Sequence, residues 1–266
     1  METRKYSDHY MIAVILTALA GVLVALFKLD GSRADIYLLI LGLFTVLIGS
    51  RITLQIPRFK SHISVSDTCI FLVLLQYGGE YAVILAAVEA TASAWRFCNR
   101  KLTIVFNAAT MALSTGSVVL LLDLFGLYSG RGDARQSFLI VLCLIALTQF
   151  IVNTALASIH DALKDEIPLW ETWKSKYLWT FFSYFIGAAS AGLLVQVSDT
   201  LGFGIILAIF PVILFVFLSY RMYLKNVEIS MWQAEQAEQY AKILEDQSEA
   251  LRESEERFRS AFNYAP

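Results

Sequence analysis

The chain has 266 residues, of which 57% are hydrophobic and only 17% are charged, and its mean hydropathy is +0.60. Soluble domains carry about 25% charged residues. This composition therefore excludes an ordinary soluble globular protein and indicates a membrane protein with several spans. The net charge of −2 gives no reason to expect a nucleic acid as a partner.

Eight apolar segments divide residues 1–222, and several have the roughly 20 residues that cross a bilayer. They run over residues 11–27, 36–50, 67–77, 80–95, 102–125, 137–159, 177–197 and 201–222. The first segment follows basic residues as a signal peptide would, but it continues well past Ala20, which predicts an uncleaved helix. The predicted fold class is all-α, a polytopic membrane bundle of about eight spans.

Two features of the segment order are specific. The third and fourth segments are short and meet at Gly78 and Gly79, which predicts a tight helical hairpin that either spans the bilayer or re-enters it. Both alternatives return the chain to the same side. Residues 167–176, IPLWETWKSK, combine tryptophan with lysine, which is typical of a short helix lying in the headgroup layer.

Basic residues in the loops set the orientation. With both termini inside, thirteen Lys and Arg residues flank the membrane on the inside and four flank it on the outside, namely Lys28, Arg33, Arg131 and Arg135. The positive-inside rule then predicts that both termini are cytoplasmic. The loops at 28–35 and 128–136 are expected to face outward.

Motifs of soluble enzymes are absent from the sequence. It contains no Gly-rich phosphate loop, no HExxH and no GxSxG. The three histidines, His9, His62 and His160, lie near predicted membrane ends without metal-ligand spacing, and the three cysteines form no CxxC pair. The sequence therefore predicts no catalytic residue and no metal site, and it identifies no cofactor.

Polar side chains inside the apolar segments are the candidate ligand-binding residues. Glu89, Asn107 and Asn153 each lie about 10 Å from the predicted cytoplasmic end of their helix, and Gln149 lies one turn from Asn153. An ionisable residue within a span is costly and marks a functional site by default. Amide side chains serve equally well as interhelical hydrogen-bonding groups. We therefore expect one inward-facing ligand site, with helix packing as the open alternative.

Asp67 opens the third segment in the stretch SHISVSDTC. Ser64 and Asp67 have the spacing of a helix N-cap and its acidic partner, and an acidic side chain also complements the positive end of a helix. The capping interpretation is favoured here. Asp67 remains a candidate for ligand binding as well.

Residues 50–120 resemble the membrane input regions of bacterial signalling proteins. Some of these regions carry a similar "SxSDT…F…GxE" hairpin, then a basic turn and a helix with "FN". The matching residues here are SVSDT at 64–68, Phe71, GGE at 78–80 and Phe106–Asn107. The resemblance implies a sensor in the bacterial cytoplasmic (inner) membrane, and it implies no particular ligand.

Beyond residue 222 the sequence changes to a charged helical pattern. Apolar or small residues recur in alternating steps of four and three from Tyr223 to Phe262, which predicts a coiled-coil seam of about five heptads. The seam is weak because alanine and serine fill much of it and Glu255 interrupts it. The central seam residues are Ala237, Ala241, Leu244 and Leu251. A parallel homodimer is expected, and a single solvated helix is the alternative.

The last residues, LRESEERFRSAFNYAP, resemble the linker and opening of a PAS domain, which often begins with a run like "SEERFRxxFxxAP". The matching residues are Glu255, Glu256, Arg257, Phe258, Arg259, Phe262, Ala265 and Pro266. The resemblance implies a longer protein cut at the PAS boundary, with cyclic-di-GMP turnover or histidine kinase activity as the common outputs. The expected domains are a sensor bundle at 1–222, a coiled-coil linker at 223–256 and the start of a PAS domain at 257–266.

The predicted function is that of a membrane-embedded input module. It relays a small-molecule or membrane signal through a dimeric coiled coil to a cytoplasmic PAS-linked output. The alternatives are a small-molecule-binding transport subunit and a membrane enzyme. A transporter gains nothing from a heptad helix that leads into a PAS-like start, so the tail favours the sensor. The expected partners are a second copy, the lipid membrane and an unidentified small molecule.

The charge bias makes the topology testable. In a background without the native cysteines, single cysteines at Ser32 and Ser129 should react with an impermeant thiol reagent added to whole cells, whereas a cysteine at Ser61 should react only after permeabilisation. The opposite accessibility at these positions would show that the orientation is wrong.

Overall fold

The structure is a computed structural model that describes residues 2–49, 53–55, 62–127, 134–202, 204–205, 220, 222–244, 247–248 and 252. The chain divides into two compact units, Met1–Ile206 and Leu207–Pro266. The first unit is a helical bundle, and the second contains a helix over residues 222–244.

The bundle contains eight α-helices, two single-turn 3-10 helices and one short ribbon among its described residues. The α-helices are α1 (Glu2–Lys28), α2 (Ile36–Leu47), α3 (Val65–Gln76), α4 (Gly79–Phe97), α5 (Lys101–Leu124), α6 (Ala134–Asp165), α7 (Leu169–Lys176) and α8 (Phe181–Leu201). The 3-10 helices are Gly31–Arg33 and Leu178–Thr180. Strands β1 (Thr53–Gln55) and β2 (His62–Ser64) pair antiparallel, with Leu54 opposite Ile63.

The helical prediction is confirmed for the first seven apolar segments, and most of the eighth lies outside the described residues. Four helices are long and apolar enough to cross a membrane: Tyr6–Lys28, Lys101–Leu124, Phe138–Asp165 and Leu178–Leu201. Helices α2 and α3 have 12 residues each, so each is about 18 Å long. That length is well short of the roughly 30 Å hydrocarbon core. Among the described residues the structure therefore shows four candidate spans, and the total of eight stays a prediction.

The predicted all-α class is confirmed, and a two-stranded β ribbon of three residues per strand is a local addition to it. Residues 52–56 read ITLQI, an alternation of apolar and polar residues that is typical of a strand. The stretch was not predicted as an element because the spans were identified from long apolar runs, and it contains none. The ribbon connects α2 to α3, and β2 packs against α8.

Helix α3 is the buried centre of the bundle. All six residues from Cys69 to Leu74 are at most 2% exposed, because α2, α4 and α8 all pack against this helix. A helix that is apolar all round requires such an environment. The turn after α3 confirms the predicted hairpin, since Gly78 has a φ of +116° that side-chain-bearing residues rarely adopt.

Helix α1 packs as an integral member of the bundle. Met11, Val14 and Ala18 form a core cluster with Phe106 and Ala109 of α5. At the end of the bundle that contains the loop between α4 and α5, both guanidinium nitrogens Nη1 and Nη2 of Arg100 donate to the Asp8 carboxylate, at 2.8 and 2.7 Å. These hydrogen bonds raise the pKa of Arg100 and fix the start of α1.

Helix α7 confirms the short helix predicted at 167–176, and Pro168 occupies its N-cap position. The indole Nε1 of Trp173 donates to Thr154 Oγ1 on α6 at 3.0 Å. The Lys176 ammonium contacts Asp165 at 2.9 Å and Asp161 at 3.0 Å, and these hydrogen bonds raise the pKa of Lys176. Three polar contacts therefore fasten α7 to the end of α6.

Apolar side chains of the helix in the second unit are exposed to solvent. Leu244 of the predicted seam is 65% exposed, and Ala237 and Ala241 are also exposed. Leu251 and the PAS-like residues 257–266 lie outside the described part of the chain. The structure thus contains the helix of the predicted linker, whereas its pairing with a second copy stays a prediction.

Close packing at Gly79 gives a test of the hairpin. A Cβ added there would lie 2.5 Å from both Cγ atoms of Val119, and a β-branched valine has little rotamer freedom to yield. Gly79→Ala should therefore destabilise the bundle by about 1–3 kcal/mol, measured as thermal unfolding in lipid nanodiscs.

Gly21→Ala is the matched control, because no atom lies within 4 Å of that position and alanine favours the helix. Combining Gly79→Ala with Val119→Ala should recover part of the loss. A Gly79→Ala protein as stable as the Gly21→Ala protein would contradict the packing argument.

Candidate functional site

Two buried carboxyl groups meet between α3 and α4. Asp67 lies in the first turn of α3 and is 9% exposed, and Glu89 lies in the middle of α4 and is 5% exposed. The buried Ser66 side chain is hydrogen-bonded to the Glu89 carboxyl group. Asp67 and Glu89 interact electrostatically as like charges. Neighbouring carboxylates with little access to water repel each other strongly.

Tyr184 of α8 completes this group, which we call the carboxyl cluster: Ser66, Asp67, Glu89 and Tyr184. Tyr184 is 8% exposed and interacts electrostatically with Asp67. Its ring lies 6.2 Å from that of Phe150 on α6, measured between centroids. The buried side-chain atoms without a hydrogen-bond partner among the described residues are Gln149 Oε1 and Thr172 Oγ1, and neither belongs to this cluster.

Helix α2 borders the cluster through a second polar pair. The Thr45 hydroxyl donates to the Leu41 carbonyl at 2.7 Å, and the side chains of Thr45 and Cys69 are hydrogen-bonded to each other. Cys69 also interacts electrostatically with both Asp67 and Glu89. Polar side chains from α2, α3, α4 and α8 are thus gathered at the beginning of α3.

The beginning of α3 lies deep in the bundle. Glu89 lies seven residues, or about 10 Å, before Arg96 on α4, and its partner Ser66 starts α3 at this level. The far end of α3 reaches α2's start, where the Tyr77 hydroxyl donates to Asp35 at 3.0 Å. The length of α3, about 18 Å, and the depth of Glu89 along α4, about 10 Å, together come close to the roughly 30 Å thickness of the hydrocarbon core. A non-helical segment precedes α3 at this level.

That segment is the β ribbon, which ends at Ser64 immediately before α3. Non-helical backbone at membrane depth is tolerated only where protein buries it or where it lines a water-filled space. The packing of β2 against α8 provides protein contact on one side. The ribbon thus lies next to the carboxyl cluster, where an entry path for a ligand would be needed.

A second polar group, the amide cluster, lies between α5 and α6. It consists of Gln149, Asn153, Ser114, Thr115 and Met111. Nε2 of Gln149 donates to Ser114 Oγ at 3.0 Å and to Thr115 Oγ1 at 3.3 Å, and Nδ2 of Asn153 contacts Met111 Sδ at 2.8 Å. The Gln149 carbonyl oxygen is buried without a partner among the described residues. These contacts cross-link the two helices, as the packing alternative predicts.

The predicted site residues are therefore distributed over separate groups. Asp67 and Glu89 come together, and Gln149 and Asn153 lie in the amide cluster. Nδ2 of Asn107 contacts Cys98 Sγ at 3.7 Å, at the end of α4. In the described residues, no hydrogen bond joins Glu89, Asn107 and Asn153 to one another. Equal depth along three helices does not fix which way each side chain points.

The capping interpretation of Asp67 is only partly testable. Asp67 does occupy the first turn of α3. The capping box between Ser64 and Asp67 stays a prediction. The side chain of Ser64 lies outside the described part of the chain.

Ser66 and Tyr184 were not among the predicted site residues. Ser66 belongs to the SVSDT stretch, and its place next to Asp67 in that stretch is the sequence feature that could have identified it. Tyr184 is a hydroxyl-bearing residue within the apolar segment 177–197. Buried tyrosines usually find a hydrogen-bond partner, which makes a tyrosine in a span worth inspection.

The carboxyl cluster offers the two carboxyl groups of Asp67 and Glu89 and the two hydroxyl groups of Ser66 and Tyr184. Within the described residues, no group of three or more His, Cys, Asp or Glu side chains could hold a metal ion. The arrangement can bind a proton or a positively charged ligand. It offers no nucleophile paired with a base of the kind that covalent catalysis uses.

The repulsion between the two carboxyl groups predicts that neutral variants are more stable. Asp67→Asn and Glu89→Gln should each raise the thermal unfolding temperature in nanodiscs without added ligand, by about 1–3 kcal/mol of stability. Asp199→Asn, at an exposed position of α8, is the control and should have no effect. A loss of stability in both Asp67→Asn and Glu89→Gln would identify a structural pair instead.

Comparisons with protein-family models, curated proteins and solved structures find no match for this chain. The carboxyl cluster, the amide cluster and the exposed helix at 222–244 are therefore interpreted from their own chemistry.

Proposed function

We propose that this chain is a membrane-embedded input module that relays a small-molecule signal through a dimeric helix to a PAS-linked output. The observation that carries the proposal is the helix at 222–244, which is charged and leaves the apolar positions of its seam exposed. In this proposal the module lies in the bacterial inner membrane with both termini in the cytoplasm. The short helices α2 and α3, helix α4 and residues 201–222 are embedded along with the four long helices.

The length and composition of the tail helix support pairing. A single helix of this size is marginally stable in water. Tyr223, Val227 and Leu244 lie along the seam and are exposed by 63%, 37% and 65%. A second copy in parallel register would bury these side chains. Because alanines occupy much of the seam, the pairing is modest, and a small change in the bundle can shift it.

The carboxyl cluster supplies the input side of the proposal. Buried acidic groups are costly in a membrane and are retained for function. Tyr184 places α8 against this cluster, and α8 is also the described helix that precedes the tail in sequence. A ligand that binds one arrangement of α8 better than another would shift the population of signalling states.

A small-molecule transport subunit is the second candidate. The observation that favours it is the same carboxyl pair, because acidic groups inside a bundle also serve as substrate and proton sites in transporters. The tail distinguishes the two functions. A signalling dimer needs specific contacts along 223–256, whereas a transporter does not.

Disulfide crosslinking tests the dimer. In membranes of cells that produce the chain, single cysteines at Ala237, Leu244 and Leu251 should form disulfide-linked dimers faster than cysteines at Glu235, Lys242 and Glu249. The first three positions follow the seam, and the last three lie off it. Rates should differ about tenfold or more, which corresponds to about 1.4 kcal/mol.

The off-seam positions are the matched controls, since they lie on the same helix at similar heights. Equal rates at both sets, or a protein that stays monomeric in nanodiscs and in native membranes, would contradict the signalling proposal. Uptake of a solute into proteoliposomes by the chain without residues 223–266 would instead support the transporter.

A further inference from the structure

Helix α7 connects two candidate membrane spans. Residues 166–168 separate it from the end of the span Phe138–Asp165, and a single residue, Tyr177, separates it from the span Leu178–Leu201. A helix of eight residues is far too short to cross the membrane, so α7 lies at the surface where the two spans meet. Its neighbours at that level are the phospholipid headgroups.

One side of α7 faces the bundle. Thr172 on this side is 1% exposed. The indole N–H of Trp173 donates to a hydroxyl of α6, and the ammonium group of Lys176 contacts two carboxylates of α6. The charge of Lys176 is therefore already paired within the protein, and these contacts fix the rotation of α7 about its own axis.

The opposite side of α7, which we call the outer face, carries Trp170, Glu171 and Lys174. Trp170 is 68% exposed, and both charged residues are exposed as well. Lys174 lies four residues after Trp170 and three after Glu171, so it is a neighbour of both on the helix surface. Neither Glu171 nor Lys174 forms a salt bridge with a described residue.

Exposed aromatic rings continue from α7 into the start of α8. Trp170 stacks on Trp173 with 5.4 Å between ring centroids, and Trp179 stacks on Phe182 at 6.4 Å. Trp179 and Phe182 are 41% and 51% exposed. Tryptophan is enriched at membrane interfaces, where its ring meets apolar chains and its N–H meets water. The rings therefore favour lipid over a second protein as the neighbour of this surface.

We propose that the outer face of α7 binds a zwitterionic phospholipid headgroup, with Lys174 on the phosphate and Glu171 on the ammonium group. The face carries one charge of each sign, and exposed Lys164 and Glu166 beside the end of α6 add another of each. An anionic headgroup would be attracted by Lys174 but repelled by Glu171. A headgroup that carries both charges satisfies both side chains.

Lipid binding by α7 goes beyond the proposed function and does not depend on it, because a sensor and a transport subunit would contact lipid there equally. The stretch 167–176 contains two tryptophans and two lysines. Only the structure shows that one of each, Trp173 and Lys176, contacts the bundle, whereas Trp170 and Lys174 face outward.

Tryptophan quenching by brominated phospholipids tests the headgroup class. In the intact chain with Trp95→Phe and Trp232→Phe, the remaining three tryptophans all lie on α7 or in the turn into α8. This chain is reconstituted in mixtures of phosphatidylcholine and phosphatidylglycerol, with one or the other brominated. At equal mole fractions, brominated phosphatidylcholine should quench its fluorescence more than brominated phosphatidylglycerol.

Two charge variants in the same background assign the contacts. Glu171→Gln should shift the preference toward phosphatidylglycerol about fivefold, which is the effect of one charge near a membrane surface. Lys174→Gln should shift it about as far in the opposite direction. Asp199→Asn, at an exposed position near the other end of α8, is the control and should leave the preference unchanged.

Three results would overturn the inference. The first is a preference for phosphatidylglycerol without any charge variant, and the second is a preference that neither charge variant shifts. The third is weak quenching by both lipids, which would show that protein, such as a second copy, covers the outer face.

Thermal unfolding in detergent separates lipid contact from packing within the bundle. Lys176→Gln should lower the melting temperature because it removes two contacts with α6, whereas Lys174→Gln should not. An equal loss in both variants would show that Lys174 is a bundle contact and would contradict its assignment to lipid.

Discussion

The burial of the Asp67 and Glu89 carboxyl groups is the constraint on which the interior of this bundle depends. Both groups are almost wholly removed from water, and removing an acidic side chain from water is costly. The Ser66 side chain satisfies part of Glu89. Such an arrangement persists only when the surrounding helices hold it in place, and strained groups of this kind cluster at functional sites.

The helices are held by close packing around α3. Phe71 of α3 lies 3.5 Å from the position of a Cβ on Gly187 of α8, and Val119 of α5 occupies the space beside Gly79 of α4. Small residues of this kind let helices approach closely where lipid offers no hydrophobic driving force between them. The close approach keeps water scarce around the carboxyl cluster, and this raises the cost of burying its acidic side chains.

Helix α8 connects the input and output sides of the proposed mechanism. It contributes Tyr184 to the carboxyl cluster, and its backbone is followed in sequence by the apolar segment 201–222 and by the exposed helix at 222–244. In that mechanism, a ligand at the cluster slightly changes the packing of α8 against α3. A weak seam of alanines can respond to such a small change, whereas a strong leucine seam would resist it.

The sequence by itself determined the helical character of the chain, the hairpin at Gly78 and the short helix at α7. These features depend on apolar runs, on a glycine that can adopt positive φ, and on tryptophan and lysine near an interface, all of which are local. It also identified Glu89 and Asp67 individually, because a charged residue in an apolar run is conspicuous. The alternation of apolar and polar residues at 52–56 is also a local pattern, but the ribbon was not predicted because that stretch contains no long apolar run.

Only the tertiary structure decided which polar residues belong together. Asn107 and Asn153 share a depth with Glu89, but depth along a helix leaves the rotation of each helix about its axis undetermined. Packing set those rotations and placed Asn107 beside Cys98 and Asn153 beside Met111. The same packing brought Tyr184 to Asp67 across 117 residues of sequence. No periodicity records such a meeting, because it depends on how α3, α4 and α8 fit against one another.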